Sequence, residues 1–189
     1  MAITTMDLLV AAIASAQQKR FYKVSQSTKA IGSWQSLWTA AGEPAAGSAA
    51  GSTAGAIPTS DTVGAIAFSD AGGGNTSYLA RLQARGTTQP LAIVLADRLY
   101  HNSGFSGTNT SVQSVSSPPA LTRPDNTGAN NELWIEWYTA TGSNQVNLTV
   151  SYNDQNGNPQ TTTVAFQASP VAGQMQPPLK TKRSPAACR

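Results

Sequence analysis

The sequence predicts a mainly β-protein built on antiparallel strands, and three segments in its C-terminal third predict it. In ELWIEWY (132–138), Leu133, Ile135 and Trp137 share one face while Glu132, Trp134, Glu136 and Tyr138 share the other. In QVNLTVSY (145–152), Val146, Leu148, Val150 and Tyr152 alternate with Asn147, Thr149 and Ser151, and TTTVAF (161–166) continues with Thr162, Val164 and Phe166 in step. Period-two alternation places one face on a core and leaves the other in water. Between the last two segments, NDQNGNP supplies Asn156-Gly157, a pair suited to a tight hairpin. The expectation is a three-strand meander over 131–166, with nothing in it that looks like chemistry.

The remaining elements follow in chain order. Thr4-Thr5-Met6-Asp7 reads as an N-cap followed by an acid, and Met6, Leu9, Val10 and Ile13 then recur at helical spacing. A helix over 5–18 is expected, with Lys19 and Arg20 at the negative end of its dipole. Its narrow aliphatic stripe should dock on its own domain or on another subunit. The next stretch carries Phe21, Tyr22, Trp34 and Trp38 and reads as a short helical turn or an extended arm, its tryptophans acting as core anchors. Together these make an N-terminal unit over 1–44. Residues 45–60 are mostly Ala, Gly and Ser and read as a flexible linker with no apolar mass to bury.

A β-body is expected over 61–168. VGAIAF (63–68), YLARLQ (78–83) and LAIVLADRLY (91–100) are strand candidates, with AGGGN and residues 86–90 as turns. LAIVLADRLY is a continuous apolar run and predicts a central strand covered on both faces. HNSGFSGTNTS is a polar loop anchored by Phe105, and SVQSV (111–115) a short strand before Pro118-Pro119. Residues 169–189 turn Pro-rich and then basic, and are expected as a disordered tail.

Composition narrows the function classes. A chain of 189 residues can bury a real core, yet only 11% of it is charged, against an ordinary share of about 25%. A surface so poor in charge is either covered by neighbours or built of hydroxyls and amides. Of twelve Lys and Arg, four (Lys180, Lys182, Arg183 and Arg189) lie in the last ten residues, leaving eight bases against nine acids in the body. The formal charge of +3 therefore belongs to the tail. That tail has no aromatic residue to stack on bases, so it reads as a solvated terminus, and nucleic acid is not expected as a partner. Cys188 is the single cysteine, which excludes an intrachain disulfide and a cysteine-based metal cluster. MAITTMDLLVAAIASA lacks a basic residue before its apolar run and carries Asp7, so a signal peptide is not expected; nor does any run reach the roughly 20 apolar residues of a membrane span.

Constellations that could carry chemistry are few. Asp97, His101 and the nearby Ser103 and Ser106 sketch a triad, but no G-x-S-x-G elbow supports it, and a strand-end histidine is ordinarily a loop contact. Asp125, Asn126 and Asn130 could offer oxygens to calcium without EF-hand spacing, and read as turn residues. Gly72 to Asn75 lacks the lysine and helix of a phosphate loop. Glu132 and Glu136 share a strand face, roughly 13 Å apart at about 3.3 Å per residue, beyond the roughly 6.5–9.5 Å of an inverting glycosidase. They read as solvent-facing charges or subunit contacts. Trp134 and Tyr138, on the same wet face, read as a sugar platform or an interface anchor. No catalytic residue, metal site or cofactor is expected.

The order of the segments carries a resemblance. MDLLVAAIASAQQ leads to SWQSLWTAAGEPAAG, then AIPTSDTVGAIAFSDAGGGNTSYLARL, LAIVLADRLYHNSGFSGTNTS, PALTRPDNTGANNELWIEWYTATG and strands ending SYNDQNG. From Met6 to about Phe166 this resembles structural proteins of tailed-bacteriophage virions, in particular minor capsid or head-decoration (cement) proteins. The most specific elements are ADRLYHNSGFSGT and ELWIEWYTATG. The resemblance implies a non-enzymatic protein with a β-sandwich or jelly-roll-like body, made in the host cytoplasm and bound in many copies to the capsid shell. Its implied partners are the major capsid protein and copies of itself, a trimer being attractive for a shell with three-fold sites. KTKRSPAACR lies outside the pattern. A cement protein bridges capsomers through many weak contacts, and the expected docking residues are Leu9, Val10, Ile13, Phe21, Tyr22, Trp34 and Trp38. The alternatives are a tail or head-fibre component of the same kind of virion, and a carbohydrate-binding module or adhesin using Trp134 and Tyr138.

Overall fold

A computed structural model describes residues 3–24, 32–69, 72–73, 77–87, 92–121, 123, 131–145, 147–154, 156–166 and 168–179. The chain is mainly β, its strands antiparallel, with one short N-terminal helix, and its sheets do not close into a barrel. Expectations that fall on Asp125, Asn126, Asn130, Val146, Cys188 and the basic run of the tail lie outside the described residues.

The helix α1 (Met6–Ala14) begins where the sequence places it. It ends at Ala14 rather than at 18, so Lys19 and Arg20 lie beyond its last turn and do not face its dipole as expected. Thr5 is its N-cap in extended conformation, and the Thr5 Oγ1 accepts a hydrogen bond from the Leu8 amide at 3.3 Å, satisfying one of the orphan donors of the first turn. Ser15 closes it, with its amide and hydroxyl both donating to the Ala11 carbonyl. No residue of α1 is buried. Leu8 and Ala12 are half-covered, whereas the expected docking stripe of Met6, Leu9, Val10 and Ile13 faces outward.

The arm forms two-residue strands. β1 (Tyr22–Lys23) pairs with β3 (Gly42–Glu43), while β2 (Trp34–Gln35) joins a different sheet. The Lys23 ammonium donates to the carbonyls of Ala40 at 3.1 Å and Pro44 at 2.6 Å, tying the two ends of the arm together. Gly42 has φ +134°, and a Cβ there would strike the Tyr22 carbonyl, so only glycine lets these backbones approach.

The sheet at the centre of the molecule corrects two expectations. β4 (Leu133–Glu136) does not pair with the next segment in sequence. It pairs with β7 (Gln174–Leu179), which also pairs with β2, in the order β2-β7-β4. Trp34 lies opposite Met175, and Glu136 opposite Met175 on the other side. The beginning of the expected tail is thus the middle strand of a sheet. Ladder bonding outweighs composition here: β2 pairs only with Gln174 and Met175, and the β4 ladder is irregular between Leu133 and Ile135. Pro177 and Pro178, which have no amide to donate, fall opposite that irregularity.

β5 (Asn147–Asn153) and β6 (Pro159–Ala165) form a separate hairpin in full register, Asn147 opposite Ala165 through Asn153 opposite Pro159. The turn is the expected one. The Asp154 amide donates to the Asn158 carbonyl and the Gly157 amide to the Asp154 carbonyl, both at 2.9 Å, with Gly157 at φ +80°. The chain thus reverses between Asp154 and Asn158 with a glycine in the left-handed region, which only glycine enters without steric cost. The Asp154 Oδ1 accepts from the amides of Asn156 and Asn158, and those bonds draw its carboxyl below the usual value.

Four strand expectations are not met: 63–68, 78–83, 92–100 and 111–115 form no strand, and Val94 and Leu95 of the apolar run are exposed. The linker is also revised. Its backbone wraps the ring of Trp38: the Gly47 amide donates to the Trp38 carbonyl at 2.8 Å, the Trp38 indole to the Ser48 carbonyl at 2.9 Å, and the Tyr100 hydroxyl to the Ala54 carbonyl at 2.8 Å. Ala56 bridges His101 in both directions. Small residues here serve close packing, since a Cβ on Gly47 would collide with the Trp38 indole.

Candidate functional site

Two places gather the residues that the sequence singles out, and they differ in kind. The first is a polar and aromatic cluster where the segment before His101 crosses β4. Arg98 lays its guanidinium over the Trp38 ring, 4.6 Å from the centroid, and donates to the Glu136 carboxylate at 2.9 Å and to the Tyr138 hydroxyl at 3.4 Å. His101 meets Trp38 edge-on at 5.7 Å. The Glu136 side chain is only 7% exposed, and Arg98 is its counter-charge. This overturns the expectation that Glu136 faces solvent; Glu132 is exposed and accepts from the Trp134 indole at 3.1 Å.

The cluster's protonation follows from its geometry. Burial, then the Arg98 charge, pushes the His101 imidazolium down, against a weaker pull upward from Glu136. Burial, then Glu136, raises the Tyr138 phenol. The Arg98–Glu136 ion pair, with a neutral imidazole and a neutral phenol beside it, joins three distant segments, and it leaves Glu136 Oε1 and His101 Nδ1 buried without a hydrogen bond. They do not form a relay. Asp97 is engaged elsewhere, its two carboxylate oxygens held by Arg123 at 3.1 and 3.0 Å. The Ser103 hydroxyl donates to the Ala50 carbonyl, and the Ser106 hydroxyl pairs with that of Thr108. The Asp97–His101–Ser sketch is therefore not assembled.

Trp134 and Tyr138 do not form an open aromatic platform. Both are half-buried. Trp134 packs against Trp34 in a T-shaped pair, 5.7 Å between centroids and 71° between planes, and Tyr138 is bound to Arg98. Tyr138 lies beyond the end of β4, whose ladder is irregular at Trp134, and residues distant in sequence cover both side chains in place of the expected solvent. The ring of Trp137 packs edge-on against Phe166 at 4.9 Å, linking the central sheet to the hairpin.

The second place is apolar surface. Among the described residues the buried hydrophobics are Ala40, Ala50 and Phe166, and no large side chain is fully buried. Met6 is 72% exposed, Val10 60%, Ile13 51% and Tyr22 70%, with Leu9 just exposed and Phe21 half-buried. Of the expected docking residues, Leu9, Val10, Ile13 and Tyr22 are thus free to meet a partner, and Trp34 partly so. Trp38 is not, being enclosed by Arg98, His101 and the 47–48 backbone. A groove of ≈ 440 Å³ opens beside Trp34, between Gln174–Gln176 and the end of β6 at Ala165. Sequence reasoning missed Arg98 as the centre of the cluster. The signal available to it was an arginine within an otherwise apolar run, which has to find a counter-charge.

Among the described residues no group of three or more His, Cys, Asp and Glu is placed to hold a metal ion, and no helix is long and apolar enough to cross a membrane. No protein-family model matches the chain, and no curated protein or solved structure matches it significantly.

Proposed function

We propose that this chain is a non-enzymatic structural subunit of a tailed-phage virion, which binds the capsid shell as a minor capsid or decoration protein. The assembly role rests on one observation: among the described residues, the aliphatic stripe of α1 (Met6, Leu9, Val10 and Ile13) and Tyr22 are exposed, while the buried hydrophobics are two alanines and Phe166. Fully burying a Val, Leu, Ile or Met side chain is worth about 1.5–3 kcal/mol. Docking Met6, Leu9, Val10 and Ile13 against a partner therefore yields several kcal/mol, enough to offset much of the cost of association when many copies bind a lattice. The identity of that lattice rests on the resemblance of ADRLYHNSGFSGT and ELWIEWYTATG to virion structural proteins.

The covering of Trp134 by Trp34 and the binding of Tyr138 to Arg98 favour this reading over a sugar-binding module, and the separation of Asp97 from His101 by its pairing with Arg123 favours it over a triad enzyme. The test is co-sedimentation of the purified chain with capsids, using a variant lacking residues 1–15. No residue of α1 is buried and only Leu8 and Ala12 are half-covered, so this truncation should leave the body folded and abolish sedimentation with the shell. Removal of residues 1–45 is a poorer test, because it deletes β2 and Trp38 and so dismantles the body. Undiminished sedimentation of the 1–15 truncation would remove the helix from the docking role.

A further inference from the structure

We infer that β5 is a self-association edge, at which two copies of this chain pair antiparallel about a two-fold axis through Val150. This inference concerns contacts between copies and does not depend on what the chain assembles on.

The hairpin's own hydrogen bonding identifies the outward groups. The Asp154–Asn158 pair is hydrogen-bonded, and in an antiparallel ladder bonded and non-bonded pairs alternate. The pairs Asn153–Pro159, Ser151–Thr161, Thr149–Thr163 and Asn147–Ala165 are therefore the non-bonded ones, and their amides and carbonyls point away from the partner strand. The close hydroxyl contacts agree, at 3.0 Å for Thr149–Thr163 and 3.3 Å for Ser151–Thr161, because side chains approach most closely at non-bonded pairs. Among the described residues no backbone hydrogen bond joins β5 or β6 to another element.

The two edges are not equivalent. On β6, Pro159 sits where an outward donor is needed and has none, and Ala165 lies against the groove beside Trp34. On β5, the outward residues Asn147, Thr149, Ser151 and Asn153 all have their donors. Neither strand carries a charge, an internal proline or a bulge, the devices that normally protect an exposed edge.

The occupant is read from the sequence of the edge itself. NLTVSYN is a palindrome in chemical class: Asn147 matches Asn153, Leu148 matches Tyr152, Thr149 matches Ser151, and Val150 stands at the centre. With Val150 opposite Val150 of a second copy, Asn147 faces Asn153, Thr149 faces Ser151 and Leu148 faces Tyr152. Amides then meet amides, hydroxyls meet hydroxyls and apolar groups meet apolar groups. In this register each of the outward-pointing residues sits in a bonded pair with another. Two identical edges meet without like charges opposed, and the interface is isologous, as a two-fold requires. The half-buried face of Leu148, Val150 and Tyr152 becomes continuous across a four-stranded sheet.

The test uses the full chain. Light scattering should give about twice the 19.6 kDa of one chain. Ser151→Pro removes an outward donor and the exposed Ser151–Thr161 hydroxyl contact but no bond of the hairpin's own ladder, so it should restore the single-chain mass with the tryptophan near-ultraviolet circular dichroism unchanged. In a Cys188→Ser background, mild oxidation should join two copies through Val150→Cys, where facing Cβ atoms lie about 4.5–5.5 Å apart. Leu148→Cys, which faces Tyr152 of the second copy, should not cross-link. A single-chain mass for the wild type overturns the proposal and leaves the edge to a different protein. So does a dimer that survives Ser151→Pro, or cross-linking through Leu148→Cys in preference to Val150→Cys. Should Ser151→Pro unfold the chain, the cysteine pair decides.

Discussion

Arg98 and Glu136 meet at 2.9 Å across 38 residues of sequence, with the carboxylate side chain 7% exposed and the guanidinium lying on Trp38. This pair holds the segment before His101 against β4, and through Trp38 it holds the 45–56 wrap as well. Arg98→Ala strands a buried carboxylate and should cost about 3 kcal/mol in urea unfolding, toward the low end because Arg98 is itself a quarter exposed. Arg98→Lys keeps the charge but loses the flat stacking on Trp38 and should cost less.

Gly47 and Gly51 separate packing from composition in the small-residue stretch. A Cβ at Gly47 collides with the Trp38 indole, whereas at Gly51 it meets open space. Gly47→Ala should destabilise by about 1–3 kcal/mol, and Gly51→Ala should lie within about 0.5 kcal/mol of wild type. Equal, small effects at both positions would mean that 45–60 is a free linker after all.

The His101 cluster sets an acid limb to stability. Its imidazolium is disfavoured in the fold, so the unfolded chain takes up its proton first as pH falls. Stability from this group is unchanged above its ordinary value of 6.5 and falls below it, until the lowered folded value is reached. Urea midpoints measured from pH 7.5 down to 4.5 should show this decline for wild type and a flatter profile for His101→Gln. An identical slope in both proteins would assign the decline to other groups.

Trp34 and Trp134 contact one another rather than a ligand. A double-mutant cycle through Trp34→Ala and Trp134→Ala should return a coupling of about 0.5–1.5 kcal/mol in stability. A coupling near zero, together with sugar-dependent quenching of Trp134, would restore the carbohydrate reading.

What the sequence revealed depended on how local each decision was. The β5–β6 hairpin is written in adjacent residues, from the alternation of Leu148, Val150 and Tyr152 to the Asn156-Gly157 turn, and it formed as read. α1 was legible at its start, because Thr5 and the Met6–Ile13 spacing lie within about two turns, but not at its end, which falls at Ala14 rather than at 18. β7 was not, because Met175 is a strand residue only by virtue of Trp34 and Glu136, distant in sequence on either side. LAIVLADRLY misled in the opposite direction: a continuous apolar run is ambiguous without its partners, and Val94 and Leu95 remain exposed. The 45–60 stretch read as flexible because close packing and flexibility select the same small residues. At the candidate site, the alternation of β4 did not set its burial: Leu133 of the expected core face is exposed, whereas Trp134 and Glu136 of the expected wet face are half-buried. The reason lies far off in sequence, in Trp34 against Trp134 and Arg98 against Glu136.

The most direct test of the assembly role is cryo-electron microscopy of capsids mixed with the purified protein. The account predicts regular density at symmetry-related lattice positions, with α1 seated on the shell and lost from it when residues 1–15 are removed. Density confined to a single vertex or to the tail, or bare capsids at saturating protein, would contradict it.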